Sequence, residues 1–237
     1  MSEKQCRVMG LVMLMLLLGA VVVLSREVAD YAGQVSGKKV ENEPAPKVVL
    51  DVGHGGFDPG KVGINGAKEK DVNLQIGRKL EQYLLDNDIE VIMTRREDES
   101  LGDGGKENTK VQDMKKRVSI IEETAPDLVV SVHQNSFPQE SIHGAQVFYH
   151  NSSSEGKLLA ELIQKELVSK VDRENKRQAK GNTNYYLLKK TKVPLVIVEC
   201  GFLSNSREAE LLCEEDYQDR VAYAICMGIL KYLSLGE

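Results

Sequence analysis

The sequence has no tryptophan, and only four histidines, four cysteines and six prolines among its 237 residues. No internal repeat is visible. The cysteines are Cys6, Cys200, Cys213 and Cys226, widely spaced and without a Cys-x-x-Cys pair. They outline neither a disulfide framework nor a cysteine zinc site. Cys213 and Cys226 fall in apolar helical patterns, which places them in the core. Positive charge is not in excess, since the net charge is -5. No nucleic-acid-binding surface is implied. Gly53-His-Gly-Gly is rich in glycine but lacks the lysine and serine of a phosphate loop.

What remains suits one globular domain. The hydrophobic fraction is 41% and the charged fraction 28%, enough for an adequate core. The N-terminus differs from the rest. Lys4 and Arg7 precede Val8–Leu24, an uncharged apolar run of 17 residues. A spanning helix needs about 17–25. With the positive flank leading, the rest of the chain is expected outside the cytoplasm. An uncleaved anchor is favoured over a cleaved signal peptide, for which Gly19-Ala20 is only a weak site. The expected organisation is a signal-anchor over residues 1–26, a polar linker over 27–46 and one folded domain over 47–237.

Within that domain, strands and helices alternate. Lys47–Asp51, Glu90–Thr94, Leu128–His133, Gly144–Tyr149, Tyr185–Lys189 and Leu195–Glu199 read as strands, with Gly144–Tyr149 at an edge. Asp71–Leu85, Val111–Thr124, Gly156–Val171, Arg207–Leu212 and Tyr217–Leu233 read as helices. Arg173–Asn184 reads as a polar loop. The alternation predicts an α/β fold with a mostly parallel sheet and helices on both faces.

Three reactive residues fall where apolar strands end. His54 follows Lys47–Asp51 in Asp51-Val-Gly-His-Gly-Gly-Phe-Asp58; His133 closes Leu-Val-Val-Ser-Val-His; Glu199 closes Leu-Val-Ile-Val-Glu. Parallel strands would bring all three to the carboxyl edge of the sheet, where open α/β folds bind ligands. Glu69 opens the helix that returns from that edge. Two imidazoles and one carboxylate, with a position left for water, make up a catalytic zinc site. A second carboxylate is then available as general base. Imidazole ligands favour zinc over calcium or magnesium. Taken singly, each residue has a plainer role: His54 as a loop hydrogen-bonder, His133 as a core histidine, Glu69 as a favourable charge at a helix N-terminus. Glu199 is harder to dismiss, because an ionisable group after Val196-Ile-Val198 is expensive to bury unpaired. His143 and His150 read as surface residues.

Four segments resemble the catalytic domain of the zinc-dependent N-acetylmuramoyl-L-alanine amidases. They are Leu50–Gly60, Lys68–Leu74, Ser131–Asn135 and Pro194–Asn205. Thr94-Arg95 and Arg117 also stand where the family carries similar residues. The resemblance implies a twisted, mostly parallel sheet of about six strands. It implies His54, Glu69 and His133 as ligands of Zn2+, and Glu199 as the catalytic glutamate. The substrate it implies is peptidoglycan, cut between N-acetylmuramic acid and L-alanine. Asn135, Lys189 and Arg95 are secondary candidates for holding substrate or for supporting the ligands from behind.

An anchor followed by one catalytic domain is similar to the layout of sporulation amidases that act on spore cortex, ahead of muramic δ-lactam formation. That narrower likeness implies a place between the forespore membranes and an activating lipoprotein partner. Two other classes compete: a zinc peptidase or deacetylase acting on another wall bond, and a non-catalytic wall-binding protein with a structural zinc.

Overall fold

The structure is a computed structural model that describes residues 44–102 and 109–235, with positions 13, 15, 17, 19, 21 and 26 of the N-terminal segment. The expected anchor and linker lie largely outside the described residues. Among the described residues no helix is long and apolar enough to cross a membrane.

Six strands form one sheet: β1 (Lys47–Val52), β2 (Glu90–Met93), β3 (Leu128–Asn135), β4 (Gln146–His150), β5 (Lys180–Asn182) and β6 (Leu195–Phe202). Their order across the sheet is β2-β1-β3-β6-β4-β5. Every pairing is parallel except that of β4 with β6. The helices are α1 (Glu69–Leu85), α2 (Thr109–Thr124), α3 (Ser154–Lys170), α4 (Tyr186–Lys190), α5 (Ser206–Leu211) and α6 (Glu215–Leu233).

Both faces of the sheet are covered, which is why β1, β3 and β6 are continuous apolar runs rather than alternating ones. On one face, Val48, Leu50, Val130, Val132, Val196 and Val198 pack with residues of α1, α3 and α6. On the other, Val49, Val129 and Ile197 pack with Ile121 of α2 and with Leu187 and Leu188 of α4. Alternation along a strand therefore sends Asp51, Ser131, His133 and Glu199 to the α2/α4 side. Cys200, one residue on, belongs to the opposite cluster.

The structure departs from the sequence reading at four places. Tyr185–Lys189 is not a strand, because Tyr186–Lys190 forms α4. Asn182 Oδ1 accepts from the backbone N–H groups of Asn184 and Tyr185 and turns the chain into that helix. The polar stretch Arg173–Asn184 contains a strand, β5, paired with β4. In consequence β4 is an interior strand and not an edge. Cys213 is exposed while Cys200 and Cys226 are buried. It lies just beyond the last turn of α5, where Leu212 takes the buried position instead. His143 is exposed and His150 half-buried.

Candidate metal centre

The site begins with a loop that a side chain has to be forced to follow. After β1 the chain runs through Gly53 into His54, whose φ is 61°. Few non-glycine residues adopt that region. The chain is held there by a buried polar cluster beneath it. Arg117 donates from Nη1 to Asp51 Oδ1 at 2.6 Å and to the Val52 carbonyl at 2.7 Å, and from Nη2 to the His54 carbonyl at 2.8 Å. Asp51 also accepts from Thr94 Oγ1 and Ser131 Oγ. Arg95 donates to the carbonyls of Val52, Gly53 and Lys70.

The histidine so presented meets Glu69 and His133. His54 Nε2 lies 3.2 Å from Glu69 Oε1, and His133 Nδ1 lies 2.9 Å from the same oxygen. The two rings stand edge to face, with centroids 5.1 Å apart. One ligand atom from each of the three residues falls within 4.8 Å of the others. The backbone N–H of Gln134 reaches Glu69 Oε1 and that of Lys61 reaches Oε2. Oε1 is thus turned to the imidazoles, while Oε2 is tied to the loop. The far nitrogen of His54, Nδ1, bonds Asp58 Oδ2 at 2.9 Å, an outer carboxylate of the kind that orients ligating histidines. Asp58 in turn meets Lys110 Nζ at 2.9 Å.

These residues suit a borderline-soft divalent ion. The donors are two imidazole nitrogens and one carboxylate oxygen, as in catalytic zinc sites with an open position. The loop closes tightly around them. A Cβ at Gly53 would overlap the His133 ring, and one at Gly60 would come 2.5 Å from Glu69 Oε2.

Glu199 stands in β6 directly opposite His133 in β3, just before β3 shifts register. It is 7% exposed. Its Oε1 accepts from the Tyr185 hydroxyl at 3.2 Å, and its Oε2 is buried without a partner among the described residues. Burial, abetted by the charge of Glu69, pushes its carboxyl above the usual range despite His133. Burial would raise Glu69 too, but hydrogen bonds from His133 and His54 outweigh it and hold that carboxyl well below the usual range. One carboxylate is thereby kept charged and the other is disposed to take a proton. A cavity of about 300 Å³ opens onto His54, His133 and Glu199, with Phe57, Met114, Tyr185, Tyr186 and Ile197 on its apolar walls.

Every residue singled out for the site is therefore in one place. The secondary candidates divide. Arg95 supports the site from behind, buried under the loop and bonded to its carbonyls, whereas Lys189 lines a separate groove and Asn135 does not line the cavity. Sequence reasoning missed Asp58 and Tyr185. Asp58 carried a signal, since it closes the glycine loop four residues after His54. Tyr185 carried none beyond its neighbour Tyr186.

Residues 48–231 match the family described as N-acetylmuramoyl-L-alanine amidase. The chain belongs to that family. It is 36% identical over 222 residues to the germination-specific N-acetylmuramoyl-L-alanine amidase of Bacillus subtilis, covering 92% of this chain and 93% of the relative. It is 28% identical to N-acetylmuramoyl-L-alanine amidase AmiA of Escherichia coli, covering 78% and 75% of the two. Among solved structures it is similar to the CwlD amidase of Clostridioides difficile, determined in complex with the GerS lipoprotein. There the TM-score is 0.78 with 40% identity, over 80% of this chain and 99% of that one. The sheet and helices of this amidase-family chain are those of that fold.

Proposed function

We propose that this chain hydrolyses the amide joining the lactyl group of N-acetylmuramic acid to L-alanine in peptidoglycan. His54, Glu69 and His133 would hold Zn2+, and Glu199 would be the catalytic base. The observation that carries the reading is the meeting of three donor atoms within 4.8 Å beside the buried carboxylate of Glu199, one oxygen of which has no hydrogen-bond partner among the described residues. Bound there, zinc supplies Lewis acidity, which polarises the scissile carbonyl and acidifies water. Glu199 takes the water proton and passes it to the leaving amine nitrogen. Asp58 keeps the His54 ring turned inward through Nδ1.

The setting is a further part of the proposal. Val8–Leu24 anchors the domain on the extracytoplasmic side of the membrane, where the wall lies. The likeness to a germination-specific amidase and to an amidase solved with a lipoprotein supports action on spore cortex, ahead of muramic δ-lactam formation, with a lipoprotein partner between the forespore membranes.

Mass spectrometry of muropeptides tests it. After incubation with zinc-loaded protein, intact stem peptides beginning with alanine should be released. Glu199→Ala should release none while keeping its zinc. Cleavage within the stem, loss of acetyl groups, or binding without cleavage would each replace the amidase reading with one of its competitors.

A further inference from the structure

Resting on the amidase reading, we infer that Tyr185 is a positioning residue for Glu199. Its hydroxyl holds Oε1 and so fixes the orientation of the carboxylate at the wall of the cavity. A glutamate carboxylate has a broad, roughly two-fold terminal torsion and does not choose an orientation by itself. In this site one oxygen is tethered, at 3.2 Å, and the other has no partner among the described residues. The hydroxyl is thus the one hydrogen-bond donor that sets the carboxylate's torsion among the described residues.

The tether is itself fixed. Tyr185 is the residue just before α4, with φ -62° and ψ 130°. Its backbone N–H donates to Asn182 Oδ1 at 3.0 Å. Its ring stands edge-on to Phe148, with centroids 5.6 Å apart. Phe148 pairs with Ile197 across β4 and β6, two residues before Glu199. The donor's ring therefore packs on β4, the strand paired with the one that carries the carboxylate. Burial, and then the charge of Glu199, push the phenol above its ordinary range. The hydroxyl so remains a donor wherever the enzyme works. Phenylalanine would fill the same space against Phe148 and offer nothing to Oε1.

The experiment compares four zinc-loaded proteins: wild type, Tyr185→Phe, Glu199→Gln and the double variant. For Tyr185→Phe, kcat should fall on the order of 10- to 100-fold, as for a reacting group displaced slightly from its productive geometry. KM should stay within about twofold of wild type, because no ground-state contact is lost. Zinc content and melting temperature should match wild type. In the Glu199→Gln background, single-turnover measurements should show no further loss from Tyr185→Phe, since the hydroxyl acts through the carboxylate it holds.

Four results would overturn the inference: unchanged kcat, a raised KM with kcat kept, equal losses in both backgrounds, or a loss that follows zinc content or melting temperature. A wild-type protein that releases no stem peptide overturns the amidase reading as well. An active wild type with an equally active Tyr185→Phe overturns this inference alone.

Discussion

Arg117 Nη2 donates to the backbone carbonyl of His54 at 2.8 Å, across 63 residues of sequence. The same guanidinium is paired with Asp51 in the buried interior. A charge pair beneath the sheet thus holds the backbone that presents the first imidazole. The ion pair and the unusual φ of His54 are parts of one arrangement.

Removing the cation should therefore be costly. Arg117→Met leaves Asp51 buried and uncompensated, and it frees the His54 carbonyl. Urea unfolding of the metal-free protein should show a loss of about 3–5 kcal/mol. A loss below roughly 1 kcal/mol would mean that the cluster is far less buried than it stands in the structure.

Asp58 should matter to the metal more than to the fold. It bonds the outer nitrogen of His54 from a partly exposed position. Asp58→Ala should weaken zinc binding by roughly 10- to 100-fold, read by competition with a chromogenic chelator, while far-ultraviolet circular dichroism is unchanged. Undiminished affinity would show that the ring is oriented without it.

The Asp51 pair also sets an acid dependence. Burial alone would raise the Asp51 carboxyl. The charge of Arg117 and the hydrogen bond from Ser131 outweigh it and hold the group below its ordinary 3.8. With a depressed folded value, the unfolded chain binds the proton first. The stabilisation is complete above about pH 4 to 5 and is lost as pH falls further. Melting temperatures of metal-free protein from about pH 6 to pH 3 should drop steeply at the acid end. Asp51→Asn should start lower and drop less. Parallel curves for the two proteins would remove Asp51 from the account.

What could be read from the sequence, and what could not, divides along physical lines. β1, β3 and β6 were legible because strands covered on both faces must be apolar throughout. His54, His133 and Glu199 stood out as the polar groups that end those runs, and parallel pairing brings such ends together. β5 was illegible because Lys180-Gly-Asn contributes backbone groups to β4 and no apolar side chain. The stretch Tyr185-Tyr-Leu-Leu looked like a strand, since its composition is that of one. A side-chain oxygen three residues back, on Asn182, makes it a helix instead. Tyr185 was hidden with it, because its reach to Glu199 exists only once the chain has turned there. Asp58 depended on a loop conformation that no periodicity records.

The central position of β1, β3 and β6 has a consequence in time as well as in space. Proteins open first at frayed margins, and their innermost strands part only when the whole molecule unfolds. β5, three residues long at the sheet's rim, can come loose while β1, β3 and β6 stay paired beneath the metal-binding residues. The amides of Leu50, Val130 and Val198 then trade hydrogen with water only through global opening. The centre would last as long as the folded chain does.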